Sequence, residues 1–163
     1  MTVTRRQARE WAIQMLTSAD LNPPLAADGT LPEDLTTFMA EFWEQVTSLG
    51  PADGSVSKIP NKYKVFAEER VTGVLRNLDE IDGILGPLLD NWDLYRLGTV
   101  ERAVLRMGVW ELKYTDVPRA VVINEAVDIV NWFSSPVARK IVNGVLDKYA
   151  KSLGAAKVDE PRF

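Results

Sequence analysis

Between Thr99 and Lys151 the chain holds three runs, TVERAVLRMGVWELKY, DVPRAVVINEAVDIVNWF and SSPVARKIVNGVLDKYAK, in which apolar side chains recur every three or four positions. A helix gathers residues at that spacing onto one face, whereas a strand scatters them over two. The first run places Val100, Ala103, Val104, Met107, Trp110 and Leu112 on its apolar face, with Thr99 as N-cap and Glu101 near the positive end of the helix dipole. Pro118 separates it from the second, whose stripe of Val122, Ile123, Ala126, Val127, Ile129 and Val130 is wide enough to be covered on more than one side and reads as a central helix. The third opens with Ser135 as cap and Pro136 at the first helical position, where a missing N–H costs nothing; Ile141, Val142, Val145, Leu146 and Tyr149 form its apolar face. Three such helices joined by short loops are expected to make an antiparallel bundle.

The same period recurs upstream. Residues 4–21 read as a helix capped by Thr4, with Ala8, Trp11, Ala12, Met15 and Leu16 inward. The paired prolines and DG of residues 22–31 form a loop, and a helix from Pro32 follows with Leu35, Phe38, Met39, Phe42, Trp43 and Val46 at helical spacing. Thr47 to Pro60 is rich in Gly, Pro and Ser and reads as the most flexible loop. Helices are expected over 61–78 and about 79–91, with Gly86-Pro87 bending or dividing the second. Leu94 and Leu97 are expected to pack, Trp92 and Tyr95 are open between rim and core, and the tail from Gly154 frays. The fold class is therefore all-α, about seven helices in two packed bundles, about 4–78 and 79–153, within one domain.

Composition removes whole classes of chemistry. The 163 residues contain neither cysteine nor histidine, which excludes disulfides, thiolate and imidazole metal sites, and Ser/His or Cys/His nucleophile pairs. No apolar run approaches the roughly 18 residues that span a bilayer and no secretory signal is evident, so the protein reads as soluble and cytoplasmic, with no membrane partner. A net charge of −4 argues against nonspecific coating of nucleic acid, because phosphate affinity rests on clustered Lys and Arg, but leaves room for a local basic site.

One such site begins the first helix. Arg5, Arg6 and Arg9 are neighbours on a helical surface, where like charges repel and cations oppose the dipole by a few tenths of a kcal/mol, on the order of what surface pairs contribute. They are either a solvated helix end offset by Glu10 or a place for phosphate and an unstacked base, which the planar guanidinium suits.

The motifs ERAVLRMGVWEL, VPRAVVINEAV and KIVNGVLDK, with RRQARE near the start, resemble the NusB family of bacterial transcription antitermination factors, over roughly residues 4–21 and 63–153. That resemblance implies a protein that catalyses nothing and uses no cofactor. It implies binding of single-stranded boxA RNA as a heterodimer with the ribosomal protein NusE, seeding an antitermination complex on RNA polymerase. By the same resemblance Arg5, Arg6 and Arg9 contact RNA and the start of the last helix, at Arg139, Lys140 and Ile141, supplies the other half of one edge. Glu101 then faces the basic partner, or else only favours its own helix dipole. Ile141 stands where many members carry phenylalanine, Thr17 where an aromatic is frequent, and Gln7 interrupts the basic run, so stacking is expected to weaken. The free protein is open to homodimerisation, and a protein-only module of the same fold is the alternative.

Other polar residues read as architecture. Glu125 lies in an apolar helix and is expected to pair with Arg106 or Arg102, and Asn143-Gly144 to mark close helix packing. Glu41 with Glu44, or Glu125 with Asp128, is a one-turn acidic pair that magnesium chemistry would need, but such pairs are common on solvated helices.

Overall fold

The computed structural model describes residues 2–32, 34–48, 58–90 and 93–154; Trp92, the middle of the Gly/Pro/Ser loop and the tail expected to fray lie outside them. The described residues form seven α-helices and no strand: α1 (Arg5–Leu21), α2 (Thr36–Ser48), α3 (Asn61–Arg76), α4 (Leu78–Leu88), α5 (Thr99–Tyr114), α6 (Arg119–Phe133) and α7 (Pro136–Ser152). The chain divides into two compact units, Met1–Arg76 and Asn77–Phe163.

In the first unit Thr4 caps α1 by accepting the N–H of Gln7 at 3.1 Å. Its apolar face, Ala8, Trp11, Ala12, Met15 and Leu16, is buried as the spacing predicts, and α1 packs on α3 through it. The second helix starts later than Pro32, because the Asp34 carboxylate accepts the Thr36 N–H at 2.8 Å and holds the preceding backbone in a turn. Trp43 joins α2 to this core. Its ring meets Trp11 edge to face at 5.5 Å, and its indole N–H donates to Glu68 at 3.2 Å.

In the second unit α5 packs on α4, α6 and α7. Every residue from Arg102 to Val109 is buried. The stripe of α6 is covered by α5 and α7, as its width predicts; α5 and α7 each pack on three helices, and α5 is the one with an unbroken buried run. Close approach is possible because Gly108 faces Leu146: a Cβ there would lie 2.8 Å from the leucine methyls. That glycine, not Gly144, marks tight helix packing, since a Cβ at Gly144 meets nothing and Asn143 is exposed. The N-cap of α5 is Gly98, with Thr99 as the first helical residue. Ser135 caps α7 as expected, accepting the Ala138 N–H at 3.3 Å. Pro87 does not divide α4 but is its penultimate residue; the helix ends at Leu88, short of the expected 91.

Two buried arginines fix the segment around α5. Arg106 makes a two-pronged ion pair with Asp82 of α4, both N–O distances 2.9 Å. Arg102 donates to the carbonyl of Leu97 at 2.7 Å, so its charge holds the turn that follows α4, where Leu94 and Leu97 are buried and Tyr95 is exposed. Arg106→Ala, which strands Asp82, is expected to lower unfolding free energy by about 3 kcal/mol, and Gly108→Val by about 2 kcal/mol through overpacking against Leu146. Denaturant titration reads both, with Lys151→Ala as a control that leaves the midpoint unchanged because its pair with Asp147 is exposed.

Candidate nucleic-acid interface

The start of α1 carries cations and no acid in its first turn. Arg5 is exposed and Arg6 half-buried, while Arg9 is only 3% exposed. The expectation of three surface cations therefore does not hold for Arg9. Its position lies on the same helical face as Ala8 and Ala12, and its guanidinium sits 5.1 Å from the centre of the Phe66 ring. Arg70 stacks on that ring at 3.4 Å and donates to the Phe66 carbonyl at 3.2 Å, so Phe66 carries two cations between α1 and α3. Thr17, half-buried, donates its hydroxyl to the Ile13 carbonyl of its own helix at 2.8 Å. It offers no ring to a base.

The second group of candidates lies on the first turns of α7, where Arg139 and Lys140 are exposed and Ile141 is half-buried. Arg139 donates to the Asn131 side-chain carbonyl at 3.1 Å, which ties α7 to the last turn of α6. Ser134, just past that turn, donates its hydroxyl to Glu101 in the first turn of α5. Glu101 is half-buried and turned back toward its own unit by that bond. The end of α6 is thus held at both sides, by the cationic residue of α7 and by the acid expected to meet a partner. The two groups of cations belong to different units, and each is placed within its own.

The end of α6 and the first turn of α7 also hold residues that the apolar spacing did not single out. Trp132 is 79% exposed, Phe133 57% and Val137 57%. Trp132 falls off the stripe of Val122, Ala126, Ile129 and Val130 by spacing, which is the signal that could have found it. Phe133 is on the stripe, but the helix and its cover end there. Among the described residues no three acidic side chains are grouped to hold a metal ion, and no helix is long and apolar enough to cross a membrane.

The sequence model of the NusB family matches residues 6–151. A transcription antitermination protein NusB from a Nitratiruptor species is 37% identical over 150 residues, covering 92% of this chain and 94% of that protein. T. maritima NusB has the same fold, with a TM-score of 0.69, 28% identity and 93% of each chain covered. A structure of the antitermination factors NusB and NusE in complex with double-stranded RNA is similar at a TM-score of 0.67 and 29% identity, over 91% of this chain and 96% of that one. Because these matches run through the arginine-rich start and all three apolar runs, the chain belongs to the NusB family.

Proposed function

We propose that this protein is a cytoplasmic transcription antitermination factor that binds single-stranded boxA-type RNA together with the ribosomal protein NusE and catalyses no reaction. The observation that carries this is exposed cations at the expected helix starts, Arg5 on α1 and Arg139 with Lys140 on α7, in a chain of net charge −4 whose relatives are antitermination proteins. A few cations on an acidic protein hold a short single strand, while the remaining surface repels bulk nucleic acid. Arginine at positions 5 and 139 adds a planar group able to pair with phosphate or stack on a splayed base. Arg9, buried in the first unit, positions the start of α1 through Phe66 rather than touching RNA. Glu101, at the front of α5, is the group that a basic partner meets. A protein-only module is the second reading, favoured by the burial of Arg9 and by the aliphatic side chain at position 141.

A titration of fluorescent boxA-type RNA, with and without NusE, separates them. About three phosphate contacts give a log–log salt slope near −2 for a single strand. Combining Arg5→Ala, Arg139→Ala and Lys140→Ala is expected to flatten that slope and weaken binding at least tenfold with the fold intact; unchanged affinity overturns RNA binding by these residues. Arg9→Ala should instead act on stability, lowering the unfolding free energy by about 1 kcal/mol through loss of the Phe66 contact. Glu101→Gln, which preserves an acceptor for Ser134, is expected to reduce the gain in RNA affinity that NusE confers, while leaving binding by the free protein unchanged.

A further inference from the structure

We infer that the exposed end of α6 is a base-stacking platform, with the indole of Trp132 as the ring on which an unpaired RNA base lies. This rests on the RNA-binding function proposed above and adds to it the residue that does the stacking.

Three observations converge on it. First, Trp132 is 79% exposed and Phe133 57%, adjacent aromatic residues at a helix end, where a large apolar ring left in water gains by being covered. Second, the helix end is held rather than loose, since Asn131 accepts from Arg139 at 3.1 Å and Ser134 donates to Glu101. A ring on a fixed backbone loses little freedom when a base lands on it. Third, the charges nearby suit a polyanion. Asn131 brings the Arg139 guanidinium to the residue next to Trp132, and Lys140 follows on the same exposed turn of α7. The acids in this neighbourhood are Asp128, exposed one turn back along α6, and Glu101, whose carboxylate is engaged by Ser134. Aromatic rings beside basic side chains are how sequence-tolerant single-strand sites are built, each stacked base adding substantially to affinity.

The same features disfavour other occupants. Trp132, Phe133 and Val137 together offer far less than the roughly 800 Å² per partner of a stable protein interface, since an aromatic side chain buries about 150–250 Å². The ring stands at the end of α6, across the short α6–α7 connection from Arg139 and Lys140.

The test is fluorescence anisotropy of a labelled single-stranded boxA-type RNA with the full chain and with Trp132→Ala, Trp132→Phe, Trp132→Leu and the Arg139→Ala/Lys140→Ala double variant. Trp132→Ala is expected to weaken binding about tenfold with an unchanged salt slope, because no phosphate contact is lost. Trp132→Phe should recover most of the affinity and Trp132→Leu should not, which separates stacking from apolar contact. Thermal melts should coincide, as an exposed ring contributes little to folding. Wild-type affinity in Trp132→Ala alongside weakened binding in the double variant overturns the platform and leaves the RNA function standing; failure of the wild-type chain to bind the RNA removes both. A Trp132→Ala protein that keeps its RNA affinity but loses self-association in sedimentation, or loses NusE, assigns the patch to a protein contact and overturns the inference.

Discussion

Burial of α5 is the constraint on which the second unit depends. Arg102 and Arg106 lie on the part of α5 covered by its neighbours and cannot reach water, so they must be satisfied where they stand. Asp82 answers Arg106 with two hydrogen bonds, and the carbonyls at the end of the α4–α5 connection answer Arg102. Both solutions pin neighbouring chain to α5. Gly108 completes the arrangement by letting Leu146 of α7 approach where a methyl group would collide.

The candidate surface follows from that scaffold. With α5 inside, the ends of α6 and α7 lie at the rim, and the bonds from Ser134 to Glu101 and from Arg139 to Asn131 fasten them. The residues between those two anchors are Trp132 and Phe133. An aromatic pair thus stands between the Arg139 contact on one side and the start of α5 on the other, left exposed by its place at the helix end. In the first unit Phe66 plays the comparable supporting part, taking Arg9 and Arg70 on one ring and so leaving Arg5 and Arg6 to define the outer face of α1.

Much of this was legible in the chain because helical period is a local property. The apolar faces of α1 and α7, the Thr4 and Ser135 caps, and the break at Pro118 follow from spacing and from the hydrogen-bonding capacity of single residues. The motifs quoted from both ends of the chain were specific enough to indicate its family. Errors arose where two local signals competed. Pro32 looks like a helix start, but Asp34 turns the backbone first; Thr99 looks like a cap, but Gly98 already takes that place. Gly144 looks like a packing glycine by its place in the run, whereas the helix–helix approach occurs at Gly108.

Partners across the fold could not be read from periodicity. Arg106 and Asp82 are 24 residues apart, and nothing in either neighbourhood names the other; Arg9 looks like a third surface cation, but the fold buries it, with Phe66 of another helix against its guanidinium. The sequence by itself determined the helices, their inward faces, the absence of thiol and imidazole chemistry, and the family, because each depends on residue type and near-neighbour spacing. Tertiary structure decided which cations reach water, which helix is central and which aromatic rings are left uncovered, because burial is settled by what packs opposite a side chain and not by the side chain alone.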